Sequence, residues 1–122
     1  MKTLRGNPSE ASGARFAVVA SHFNPKVTDA LVEGAVHTLR THGVSDDRIV
    51  VMRVPGAFEV PLACQWAVGE VDAVIALSCI IRGGTPHFDF VATEVSNGCT
   101  RVALDSGKPV AFGVLTCDDL EQ

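Results

Sequence analysis

Four stretches of the chain are continuous apolar runs rich in Val and Ile: RFAVVA (15–20), RIVVMRV (48–54), VDAVIALS (71–78) and PVAFGVL (109–115). Runs of that length without polar alternation are the signature of strands buried on both faces, and such strands assemble into parallel sheets. Between them the period becomes helical. Val27, Leu31, Ala35 and Leu39 share one face before Gly43, and Phe88, Val91, Ala92, Val95, Cys99 and Val102 share another before Gly107. Each stripe predicts a helix laid on the sheet and stopped by a glycine. PLACQWAV (61–68) is shorter, with Pro61 suited to a first helical turn and Gly69 to its end. Alternating strands and helices with right-handed crossovers predict an α/β fold, a three-layer α/β/α sandwich on a four-stranded parallel sheet.

The ends of the chain break this pattern. Residues 1–13 are rich in Gly, Ser, Asn and Pro without periodicity and read as a flexible arm, leaving 14–122 as a single domain. At the other end Asp118 and Glu121 have the spacing of a capping box, which announces a fourth helix just where the chain stops at Gln122. A last strand without its covering helix leaves apolar surface for a partner, or for a longer form of the chain, to cover.

Composition narrows the function. At 122 residues the chain holds one core, and its formal charge of −4, with Lys and Arg scattered, excludes the basic stripe of nucleic-acid or anionic-membrane binding. No apolar run reaches the ~18–20 residues of a membrane span, and the first residues lack the apolar centre of a signal peptide, so the expected location is the cytoplasm. Cys64, Cys79, Cys99 and Cys117 are widely spaced, with no C-x-x-C pair or zinc-like His spacing, and are expected to be reduced packing residues; no metal site is expected.

In such a sheet the loops after the strands gather at the carboxyl edge, where ligands bind. Ser21 to Pro25, Pro55 to Glu59, Cys79 to Pro86, and Thr116–Cys117 meet there. Gly83-Gly84-Thr85-Pro86 leads from a buried strand into a helix, an arrangement that brings backbone N–H groups and the positive end of the helix dipole to an anion such as phosphate. Thr85 as cap and Pro86 as first residue of a helix with no ligand explain the same residues. The loop is neither a Walker A motif nor a dinucleotide fingerprint. His87 follows directly and has the right chemistry to exchange protons near neutral pH; a surface histidine in a first helical turn is the plain alternative. Phe23 stands where a ring can stack on a planar heterocycle or staple the next helix, and Phe58-Glu59 adds a second aromatic and a hydrogen-bond-accepting carboxylate.

HFNPKVTDALVEGA (22–35), RVPGAFEVPLA (53–63), AVIALSCIIRGGTPHFDFV (73–91) and LDSGKPVAFGVLT (104–116), taken in that order, resemble the 6,7-dimethyl-8-ribityllumazine synthases of riboflavin synthesis over about Phe16 to Gln122. The resemblance implies a flavodoxin-like fold and the condensation of 5-amino-6-(D-ribitylamino)uracil with 3,4-dihydroxy-2-butanone 4-phosphate, releasing phosphate and water, with no cofactor. It implies that Phe23 stacks on the pyrimidine and that Ala57, Phe58 and Glu59 hold the ribityl chain and ring edge. Cys79, Ile80 and Ile81 would line the same pocket, Gly84 and Thr85 bind the phosphate, and His87 relay protons. Phe112 would reach into the site of a neighbouring subunit, in a homo-oligomer that is a pentamer or a 60-subunit shell. The family continues past the position of Gln122 with two helices that add an Arg and a Lys to the phosphate side; Arg101 and Lys108 stand in other motif positions, so the site of the chain as written is expected to be incomplete. Two other readings are an inactive shell-forming or flavin- or ribityl-pyrimidine-binding relative, and a generic flavodoxin-like binder, against which SHFNP lacks a hydroxyl-rich phosphate cradle.

Overall fold

A computed structural model describes residues 1–122. Its elements alternate as the periodicity predicts: β1 (Phe16–Ser21), α1 (Pro25–Thr41), β2 (Ile49–Val54), α2 (Val60–Val68), β3 (Ala73–Ile81), α3 (His87–Ser106) and β4 (Val110–Cys117). The strands form one parallel sheet in the order β2-β1-β3-β4. No helix is long and apolar enough to cross a membrane.

The two helix stops work as predicted. Gly43 and Gly107 both take positive φ, 85° and 70°, a conformation that is inexpensive only without a Cβ. Lys108 then turns back, and its Nζ donates to the carbonyls of Val68 and Val71 at 2.8 and 2.9 Å, satisfying acceptors left over at the end of α2. Arg101 lies near the end of α3, 3.4 Å from Asp105. Both cations are thus engaged away from the carboxyl edge.

Burial differs from the sequence reading in the outer strands. β1 and the middle of β3 are buried on both faces, whereas β2 and β4 are not: Val50, Val51, Phe112 and Leu115 are all exposed. The reason is coverage. α2 and α3 pack one face around Ala17, Val19, Val74, Ala76, Val95 and Cys99, while α1 alone covers the other around Val18, Ala20, Leu39 and Leu77. A helix about 10 Å wide screens roughly two strands spaced 4.8 Å apart, and the helices on both faces centre on β1 and β3, so Val51 and Leu115 stay open on the α1 face and Val50 and Phe112 on the other.

Two further differences lie at the ends. Pro8–Gly13 form a 3-10 helix capped by Asn7, where the sequence suggested no element, and Arg48 Nη1 donates to Gly13 O at 2.9 Å. At the other end residues 118–122 form a turn instead of a helix start. Asp119, not Asp118, accepts from the amide three residues on, at 3.1 Å from Gln122 N, because the Asp118 carboxylate is taken by Arg82 at 3.0 Å.

Side-chain hydroxyls join the central strands below the carboxyl edge. Ser21 and Ser78, both fully buried, meet at 2.7 Å, so each satisfies the other where no water reaches.

Candidate active site

The loop after β1 is pinned to the loop after β2. His22 N donates to Val54 O at 2.7 Å and Phe23 N to Pro55 O at 3.0 Å, continuing the strand ladder past the end of the sheet. Arg53 adds a brace, with Nη2 donating to Ser21 O at 3.1 Å and Nη1 to Asp29 Oδ1 at 2.9 Å. Asn24 then turns the chain. It is the single non-glycine residue with positive φ, 58°, and its Nδ2 donates to Cys79 O at 3.0 Å, tying the first loop to the third. Asn tolerates this left-handed conformation better than most residues, and the fixed amide explains why Asn stands there. The result is that Phe23 projects outward, 70% exposed, beside the end of β3.

The loop after β2 makes a 3-10 turn, Ala57–Glu59, before α2. Glu59 Oε1 accepts from Gly56 N at 2.9 Å, so one carboxylate oxygen braces the turn, leaving the other available. Phe58 is 60% exposed beside it.

These loops and the end of β3 enclose a cleft of about 630 Å³, lined by Phe23, Asn24, Ala57, Phe58 and Glu59 on one side. Cys79, Ile80, Ile81, His87, Phe88 and Phe90 line the other. Its size is that of a small-molecule site, and its walls are mainly apolar with a few polar groups, the usual make-up of such a site. Burial, and then the nearby Cys117 sulfur, push the Cys79 thiol up, which favours its neutral form. No cluster of three or more His, Cys, Asp or Glu side chains capable of holding a metal occurs in the chain.

Eight of the residues singled out from the sequence line this cleft: Phe23, Ala57, Phe58, Glu59, Cys79, Ile80, Ile81 and His87. Gly84 and Thr85 lie on the loop beside it. The amides of Gly83, Gly84 and Thr85 donate to no protein group, and nothing lies within 4 Å of where a Cβ would stand on either glycine. Thr85 Oγ1 accepts from His87 N at a long 3.4 Å, and helix α3 starts after Pro86, one residue later than Thr85 as cap would give. Phe112 is not among the cleft residues; it lies on edge strand β4, paired with Ala76, 49% exposed.

Asn24, Gly56, Phe88, Phe90 and Val91 complete the lining without having been singled out as site residues. Phe88 and Val91 belong to the apolar stripe of α3, and periodicity alone cannot distinguish the part of a stripe that faces a cleft from the part that faces the sheet. Phe90 was detectable, since it falls off that stripe and an aromatic at an exposed helical position calls for a reason.

Residues 13–122 match the family model described as 6,7-dimethyl-8-ribityllumazine synthase. The chain belongs to the 6,7-dimethyl-8-ribityllumazine synthase family. A lumazine synthase from Chlorobium phaeobacteroides is 53% identical over 124 aligned positions that span all of this chain and 79% of the relative. The lumazine synthase assignment agrees with the fold and places the chain among enzymes.

Proposed function

We propose that the chain condenses 5-amino-6-(D-ribitylamino)uracil with 3,4-dihydroxy-2-butanone 4-phosphate to give 6,7-dimethyl-8-ribityllumazine, phosphate and water. The observation that carries this reading is a single cleft lined by aromatic and apolar groups with Glu59 and His87 among them, flanked by a loop whose Gly83, Gly84 and Thr85 amides have no protein partner.

In this reading Phe23 stacks on the pyrimidine, and Ala57, Phe58 and Glu59 hold the ribityl chain and the ring edge, with the free oxygen of Glu59 accepting from hydroxyl or N–H groups. Cys79, Ile80 and Ile81 form the apolar floor. Gly84 and Thr85 hold the phosphate through their amides and the Thr85 hydroxyl, aided by the N-terminal dipole of α3. The 5-amino group of the pyrimidine adds to the butanone carbonyl, and loss of water gives an imine. Elimination then releases phosphate, and the ribitylamino nitrogen closes the ring with loss of a second water. His87, at the first turn of α3, accepts and returns protons through these steps. Much of the rate comes from holding two reactants together, since the amine is already a competent nucleophile.

The proposal extends to assembly. In this reading Phe112 enters the site of a neighbouring copy, in a pentamer or a shell of twelve pentamers, which its exposure on the edge of the sheet supports, and the free thiols fit a reducing compartment such as the cytoplasm. The test is to supply both substrates and follow lumazine fluorescence. Product formation supports the reading; binding of the ribityl-pyrimidine by calorimetry without product from a folded assembly would replace it with ligand sequestration.

A further inference from the structure

The loop that carries the unpaired amides is held almost entirely at its two ends. At its start Arg82 N donates to Cys117 O at 2.8 Å, the last rung between β3 and β4. At its finish Asp89 N donates to Pro86 O at 3.0 Å as α3 begins. Between these points the only hydrogen bond is the 3.4 Å contact from His87 N to Thr85 Oγ1. Two glycines without neighbours give such a segment wide conformational freedom.

One side chain spans that gap. Arg82 Nε donates to Asp118 Oδ1 at 3.0 Å, its Nη1 lies 3.5 Å from Asp89 Oδ1, and its guanidinium carbon sits 4.4 Å from the centroid of the Phe88 ring. The same group therefore touches the segment after β4 and the first turn of α3, on the two residues that follow His87. Each exposed ion pair alone is worth little. The geometric effect is larger, because a planar guanidinium can engage two carboxylates and an aromatic face together.

We infer that Arg82 is a positioning residue for the reaction, clasping the two ends of the Gly83–Pro86 loop so that its amides and His87 keep one register to the cleft. The inference rests on the proposed activity and on the clasp geometry.

The test compares the full chain with Arg82→Met, which keeps apolar cover on Phe88, and Arg82→Lys, whose ammonium cannot form the same fork. Arg82→Met should raise KM for the butanone phosphate and lower kcat, each about tenfold, the scale expected when a reacting group is misplaced by less than an ångström. KM for the pyrimidine should stay within about twofold, since Phe23 and Phe58 stand on other loops, and Arg82→Lys should recover only part of the loss. Amide hydrogen exchange at residues 87–91 should be faster in Arg82→Met without substrate. Unchanged kinetics, or a lower kcat with both KM values intact and a lower Tm, would overturn the inference. Should the wild-type chain make no lumazine, the functional reading fails by itself; exchange at 87–91 then decides the clasp, faster supporting it and unchanged refuting it.

Discussion

His87 and Asn24 show how little of each residue's role lies in its own identity. His87 is a histidine in a first helical turn, an ordinary place for one, and gains its proposed role from an apolar cleft on one side and free amides on the other. Replacing it with Ala should lower kcat by roughly a hundredfold, the low end of general acid–base contributions, with little change in either KM; steady-state kinetics of lumazine formation would read this directly. Asn24 is an unusual residue in a specific conformation. Asn24→Ala loses the bond to Cys79 O and keeps a Cβ at φ 58° without the polar side chain that makes Asn tolerant of it, whereas Asn24→Gly loses the bond but also the Cβ penalty. Thermal melts should therefore rank the wild type above Gly and Gly above Ala, the latter two separated by ~1 kcal/mol, and a reversed order would mean that the left-handed turn is not retained. The cysteines behave in the opposite manner. The neighbouring Cys99 sulfur, and then burial, push the Cys64 thiol up, and both residues lie in the core between α2 and α3. Thiol-specific alkylation should leave Cys64 and Cys99 untouched until the protein unfolds.

Among the elements, α2 and α3 approach each other closely at a glycine. A Cβ on Gly98 would stand 2.6 Å from Pro61 Cβ and 2.8 Å from its Cγ, so Gly98→Ala must push the helices apart. The expected cost is ~1–3 kcal/mol, as for overpacking in general, partly offset by the better helix propensity of Ala, and urea denaturation would measure it. The Ser21–Ser78 pair offers a complementary check below the site. Ser78→Ala strands a buried hydroxyl on Ser21 at ~1–3 kcal/mol, while the double Ala variant should regain much of that loss, a coupling visible in a double-mutant cycle.

These elements were largely legible in advance, because strands covered on both faces and helices covered on one leave different spacings in the sequence, and glycine stops survive any context. The outer strands were not. Val50, Val51, Phe112 and Leu115 look as apolar as Val18 and Val19, and only their place on the outer strands, beyond the reach of the covering helices, decides that they meet solvent. The site was legible where a residue type was out of place, as with Phe23 in a loop or His87 after two glycines. It was hidden where the signal is a bond between distant residues: nothing near Arg82 in the chain announces Asp118, 36 positions away.

At the scale of the whole molecule the apolar surface has a pattern. Phe23, Phe58 and Phe90 crowd the cleft edge, Leu62 and Trp66 stand on α2, and Phe112 and Leu115 on β4, all exposed. A single soluble copy seldom carries that many large apolar groups outside, so association follows, and sedimentation should find particles several times the 12.8 kDa of one chain. Phe112→Ala should leave the melting of the subunit core nearly unchanged while reducing activity or particle mass, since this ring makes no part of its own subunit's cleft.

The strand order β2-β1-β3-β4 also sets a timetable for the newborn chain. β1 occupies a central place and must wait for β3, whose register begins with Phe16 against Ala73, before both its edges are paired. The clasp waits longer still, since Arg82 cannot close on Asp118 until β4 has left the ribosome. At roughly 5–20 residues per second the cleft walls exist for a second or more before the loop beside them is drawn into register. A nascent chain halted before β4 would therefore display its aromatic residues around a half-built cleft, the moment at which it most needs either a chaperone or a neighbouring copy.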